Sequence, residues 1–314
     1  MFELLRELCA LPGVTGDEGA VRDAITAMVQ PHADEVTVDA LGNLTVVKKG
    51  AKRSKAKLIF AAHMDEVGVI VTRVTDDGYL KFAALGGIDK RVLPGKRIFF
   101  GGTQGVIGLK PPHLSELSER EKPIDISDLY IDIGAADADD AKKLAAVGDT
   151  GTFGAEFLTL GENLVRSKAI DDRVGCAALV KLIRSELPLD ATFVFTVQEE
   201  AGTRGAAVAA NRLGADIAVI IEGTTAADLA GVSDAKRVCK LGAGAVSPFM
   251  DGGSIYDRGL WNLVRETAAA NGIAWQTKEY ISGGTDASAF QKSGTGAKVV
   301  GIAAPVRNLH SAAC

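Results

Sequence analysis

The chain has 314 residues, 47% hydrophobic and 24% charged, which fits a globular protein of one large or two ordinary domains. A net charge of −5 offers no general basic field for nucleic acid or an anionic membrane surface. Cys9, Cys176, Cys239 and Cys314 show no CxxC spacing, which argues against a disulfide framework or a thiolate metal site and fits a reducing cytoplasm.

Residues 1–7 are amphipathic and acidic, without the positive region and apolar run of a signal peptide. No apolar stretch reaches the ~20 residues that span a bilayer. Residues 2–10 read as a helix that stops at Leu11-Pro12-Gly13. A second helix is expected over 18–30, with Val21, Ile25 and Met28 on one face. Residues 35–39 and 44–47 read as a hairpin around Ala40-Leu41-Gly42-Asn43. The basic run 48–57 reads as a solvated strand-end loop. Leu58-Ile59-Phe60-Ala61-Ala62 is a continuous apolar run, hence a buried strand, and it ends in His63-Met64-Asp65.

From 69 to 163 the pattern changes. Short strands alternate with Gly86-Gly87, Pro94-Gly95, Gly101-Gly102 and Pro111-Pro112, and helical periodicity is scarce until 138–144. This predicts an inserted all-β domain, a small barrel or sandwich. Residues 114–127 are charged and read as a mobile loop. His113 has no acidic neighbour and is not expected to be a ligand.

Residue 164 onward returns to an α/β pattern. Asp171-Asp172 precede a helix over 173–187 whose small and apolar residues suit close packing on a sheet. Capping that helix would need only one of the two aspartates. A β-branched and aromatic strand, 191–197, ends in Gln198-Glu199-Glu200-Ala201-Gly202. A small-residue helix follows over 203–213. The strand 216–221 ends in Glu222-Gly223. A helix over 256–271, a strand over 275–280, a tight turn at 283–287 and a last strand over 297–302 lead to Asn308-Leu309-His310.

Burying two adjacent carboxylates at a strand end is costly unless a cation sits between them. Active sites of open α/β sheets gather at strand carboxyl ends. The groups collected there are His63, Asp171, Glu200, Glu222 and His310. Two imidazoles and three carboxylates suit zinc, cobalt or manganese at a pair of sites, and suit magnesium or calcium less. One carboxylate would bridge two ions ~3.5–4 Å apart. Glu199, beside a ligand but not needed as one, is the expected general base for a metal-bound water. Asp65 reads as the acceptor that fixes the His63 tautomer.

The chain resembles the M42 family of dinuclear metallo-aminopeptidases, relatives of the M28 and M20 peptidases. The resemblance is carried by residues 62–68 (AHMDEVG), 169–176 (AIDDRVGC), 198–206 (QEEAGTRGA), 283–287 (GGTDA) and Leu309-His310-Ser311, and within the insertion by 105–108, 110–113 and 132–135. It spans nearly the full length. It implies an α/β, mixed-sheet, helix-flanked catalytic domain, residues 1–68 and 164–314, interrupted by a β dimerisation domain, residues 69–163. One ion would be held by His63, Asp171 and Glu222, the other by Asp171, Glu200 and His310, with Asp171 bridging through a cis peptide to Asp172. Glu199 would be the proton acceptor. The family trims short peptides from the amino terminus, and its dimers assemble into dodecamers. Two departures stand out. Glu222 occupies a position where Asp is more frequent, and Ala312 stands where the family usually has Pro after His-Ser.

Three other functions compete. Glu at position 222 goes with carboxypeptidase or deacylase activity in related peptidases. Some family members carry cellulase-type names, but a glycan hydrolase needs a metal-free carboxylate pair ~5–9.5 Å apart and leaves both histidines without a task. A metal-free peptide-binding scaffold is the non-enzymatic reading.

Overall fold

The computed structural model describes residues 1–116 and 124–314, so the middle of the loop expected over 114–127 lies outside the described residues. The chain forms two compact units, 1–65 with 169–309, and 66–168 with 310–314.

The first unit is built on an eight-stranded mixed sheet. Its strands run in the order Glu35–Val38, Leu44–Lys48, Ala191–Thr196, Leu58–His63, Ile217–Thr225, Lys298–Val306, Ala245–Ser247 and Trp275–Thr277. The three central strands are parallel to one another and to Lys298–Val306. Strand periodicity sorts their side chains into two cores. Phe193, Phe195 and Ala62 face the helices Phe2–Ala10, Gly19–Val29 and Ile170–Arg184, packing with Leu8, Ile25, Leu179 and Ile183. Val194, Ile59 and Ala61 face the opposite side, against Ala206, Ala209 and Phe290 from Arg204–Leu213 and Ala287–Lys292. Each such fully buried large apolar side chain contributes about 1.5–3 kcal/mol.

The sheet opens where the chemistry is expected. Leu58–His63 stays paired with Ala191–Thr196 to its last residue, Thr196 against His63. Its pairing with Ile217–Thr225 stops at Ile220 against Ala61. A wedge therefore parts His63 from Glu222. Ile217–Thr225 continues four residues past the expected end at 221, because all nine of its residues pair with Lys298–Val306. Glu222 thus lies inside a strand rather than after it.

The second unit is a closed six-stranded antiparallel barrel. Gly68–Val74, Leu80–Leu85, Tyr130–Asp132, Thr103–Gly108, Arg97–Phe100 and Thr150–Phe153 follow one another, and the last pairs back to the first. Closure removes the exposed strand edges that an open sheet would present. Val69, Val71, Phe82, Ile98, Ile131 and Phe153 fill its interior. Lys168 and Glu66 form a buried ion pair at 2.6 Å, and Ser167 and Cys314 exchange two backbone hydrogen bonds. His113 is exposed. Among the described residues no helix is long and apolar enough to cross a membrane.

Candidate metal centre

His63 ends its strand fully buried. Its Nε2 lies 3.1 Å from Glu222 Oε1 and 3.4 Å from Asp171 Oδ1. His63, Asp171 and Glu222 offer one ligand atom each within 4.8 Å of one another, and all three are buried. Nδ1, the other ring nitrogen, is 3.2 Å from the Asp65 carbonyl oxygen and 3.4 Å from Asp65 Oδ1. An imidazole held on one nitrogen and aimed with the other at two carboxylates is a donor set that fits a divalent transition ion.

Electrostatics point the same way. Burial pushes the Glu222 carboxyl up to about 8, against the pull of His63 and with the push of Asp171. Burial lowers His63, but the charge of Glu222 and hydrogen bonds to Asp171, Asp65 and Glu222 outweigh it and raise the ring well above its ordinary range. Such crowding is relieved when a cation enters.

The two aspartates of the 171–172 pair divide the work. Their peptide bond is cis. Neither has helical dihedrals, so the regular helix begins after them, although the whole element spans Ile170–Arg184 rather than the expected 173–187. Asp171 faces His63 and Glu222. Asp172 turns away, accepting from the Gly175 N–H at 3.0 Å as a cap and from the His63 N–H at 3.2 Å. Gly223 sits opposite, where a Cβ would lie 2.8 Å from Asp171 Oδ1, so only glycine lets the strand pass. Arg173, fully buried, donates to the carbonyls of Met64 (2.8 Å) and Leu8 (2.5 Å), fixing the chain on both sides of the site.

Glu199 and Glu200 sit on a turn rather than on an extended strand, because Gln198 has φ 55°. Four successive N–H groups of that turn are held by side chains. Val197 donates to Asn43 Oδ1 (3.1 Å), Gln198 to Glu18 Oε1 (3.0 Å), Glu199 to Asp65 Oδ1 (3.0 Å) and Glu200 to Asp65 Oδ2 (3.0 Å). Thr15 Oγ1 also donates to Asp65 Oδ2, at 2.8 Å. Asp65 therefore touches both the His63 ring and the backbone of Glu199 and Glu200. Burial raises the Glu199 carboxyl well above its ordinary range; His63 opposes this, and Asp286, Glu222 and Glu200 add to it. His310 belongs to the second unit, where its Nδ1 is 3.1 Å from the Gly87 carbonyl oxygen.

Sequence reading did not find Glu18, Asn43, Thr15 or Asp286. Asn43 looked like an ordinary turn residue, yet it is fully buried and also donates to Asp39 and to the Gly205 carbonyl. Asp286 is buried and accepts from Thr196 Oγ1 at 2.5 Å. Its signal was present in the GGTDA stretch, which carried no role.

The family model for M42 glutamyl aminopeptidases matches residues 42–314. The chain belongs to the M42 aminopeptidase family. It is 32% identical to the lysyl aminopeptidase of Pyrococcus furiosus, covering 99% of this chain and 90% of that one. It is 31% identical to the glutamyl aminopeptidase of Lactococcus lactis, covering 99% and 90%. Among solved structures, the TET1 peptidase of Pyrococcus horikoshii superimposes with a TM-score of 0.87 at 36% identity, covering 99% and 92%. That peptidase can assemble into a tetrahedron or a large octahedral shell. This M42 chain is accordingly a metal-dependent peptide hydrolase of the aminopeptidase type.

Proposed function

We propose that this enzyme removes N-terminal residues from short peptides with the help of two divalent ions, zinc, cobalt or manganese. The convergence of His63, Asp171 and Glu222 in a buried wedge carries the reading. These three hold one ion. Asp171, Glu200 and His310 hold the second, as the family resemblance implies, with Asp171 shared. Bound there, the ions lower the pKa of a water and polarise a carbonyl.

The chain's own residues do the rest. Glu199 accepts the proton from the attacking water and returns it to the leaving amine. A carboxyl whose affinity for protons is raised by burial suits that double duty. Asp65 fixes both the His63 ring and the backbone that carries Glu199 and Glu200. Burial of His63, Asp171 and Glu222 limits the access of bulk water to that trio.

The enzyme works in the cytoplasm as a homo-oligomer, with the inserted barrel unit as the dimer contact and a dodecamer as the final assembly. No role for nucleic acid or membrane is proposed. The shell-forming relative supports the assembly. So does the exposure of Leu158, Leu160 and Leu164 on the two-stranded ribbon of the barrel unit, where Leu160 pairs with Leu164. Chelation tests the catalytic reading. Hydrolysis of aminoacyl-p-nitroanilides is lost on chelation and returns when zinc, cobalt or manganese refills two sites per chain. Undiminished hydrolysis by metal-free protein overturns it.

A further inference from the structure

The stretch AIDDRVGC ends in a cysteine that the mechanism does not use. Cys176 is fully buried and forms no disulfide. It lies where the sheet parts. The Met64 N–H donates to the Thr196 carbonyl at 2.7 Å, on the side of Ala191–Thr196. Backbone groups of successive strand residues point to alternate neighbours, so the N–H and the carbonyl of His63 face the opposite side, toward Ile217–Thr225. That strand has already left: its last pair with Leu58–His63 is Ile220 with Ala61. Two more steps of the same register would have set Glu222 opposite His63. On that side the buried His63 backbone has no strand to pair with, and a buried backbone group without a partner is rare and costly.

Two side chains of Ile170–Arg184 take the strand's place. Asp172 Oδ2 accepts the His63 N–H at 3.2 Å, and the Cys176 thiol donates to the His63 carbonyl at 3.1 Å. One accepts and one donates, as a paired strand would. Gly175, between them, lacks the Cβ that would collide with the Asp172 carboxylate. The thiol belongs to the core that Ala62, Leu179 and Phe195 share, where a weak donor on a small apolar side chain costs little to bury. The space that the strand leaves is the space in which His63 Nε2 meets Glu222 Oε1 at 3.1 Å and Asp171 Oδ1 at 3.4 Å.

From this we propose that Cys176 is a positioning residue of the metal centre: with Asp172 it replaces the missing strand against the His63 backbone, and so fixes the direction in which Nε2 is offered to an ion. The inference rests on the two-ion reading. Cys176 touches neither ion nor substrate and acts through His63 alone. Without the thiol, the His63 carbonyl keeps no donor from this helix, and the strand end is held on that side by Asp172 only.

The test compares Cys176→Ala, which removes the donor, with Cys176→Ser, which keeps one. A role in packing alone ranks alanine above serine, because a methyl suits an apolar core better than a hydroxyl. A role as donor to the His63 carbonyl ranks serine above alanine. Calorimetric zinc titration of the full-length chain, stripped of metal, reads the site. Cys176→Ala binds zinc about tenfold more weakly than the wild type, and Cys176→Ser recovers most of that loss. Hydrogen exchange of the metal-free protein, read by mass spectrometry on residues 58–66, reads the backbone without any metal. Exchange there is faster in Cys176→Ala and returns toward the wild-type rate in Cys176→Ser. Wild-type zinc affinity in Cys176→Ala, or a serine variant as impaired as the alanine variant, overturns the proposal. A wild type that takes up no zinc, cobalt or manganese would instead count against the two-ion reading. The exchange comparison would still decide on Cys176, and equal exchange in all three proteins would overturn its role.

Discussion

Asp65 Oδ1 accepts the backbone N–H of Glu199 at 3.0 Å across 134 residues of sequence. The other oxygen takes the N–H of Glu200, and the His63 ring leans on the same residue. A single carboxylate thus couples the proposed base to a proposed ligand. Asp65→Asn replaces one acceptor oxygen with an amide group that faces an N–H donor. The expected outcome is a fall in kcat of about 10–100-fold, with KM much less affected, read by steady-state kinetics on the best aminoacyl-p-nitroanilide. Unchanged kcat would mean that the turn holds itself.

Gly223 makes a separate prediction about metal. Its missing Cβ leaves room for Asp171, which a methyl would crowd at 2.8 Å. Neither neighbour can yield cheaply, because one belongs to a strand paired along its whole length and the other opens a helix. Gly223→Ala is expected to bind zinc about tenfold or more weakly while keeping its far-ultraviolet circular dichroism. Calorimetric zinc titration checks this, and wild-type affinity would contradict it.

The Asp228–Arg307 fork predicts a pH dependence of stability. Arg307 Nε and Nη2 donate to Asp228 Oδ1 and Oδ2 at 2.7 and 2.8 Å. The guanidinium holds the Asp228 carboxyl below its ordinary value of 3.8. A lowered folded value means that the contribution is present above 3.8 and fades as pH falls through the lower value. At neutral pH Asp228→Asn should cost about 1 kcal/mol, since Arg307 is partly exposed. Melting curves of both proteins should begin to converge only as pH falls below 3.8. A gap that stays constant below that pH would assign the loss to packing instead.

Much of this architecture is legible in the sequence because it depends on local pattern. The apolar runs at 58–62 and 191–196 are strands, and the glycine- and proline-punctuated stretch from 69 onward is a barrel. The strand at 217 was expected to stop before Glu222, since a carboxylate ends an apolar run. Pairing along the whole of Lys298–Val306 overrides that local signal. The clamp on Val197–Glu200 could not be read, because Glu18, Asn43 and Asp65 act through backbone N–H groups far away in sequence. Such contacts leave no periodicity.

The most direct test is Glu199→Gln, which keeps the size of the side chain and removes its capacity to take a proton. Metal content and turnover are measured on the same preparation. The account predicts two ions per chain as in the wild type and a kcat lower by about 10²–10⁴-fold. Near-normal turnover with both ions bound would contradict the assignment of Glu199 as the base.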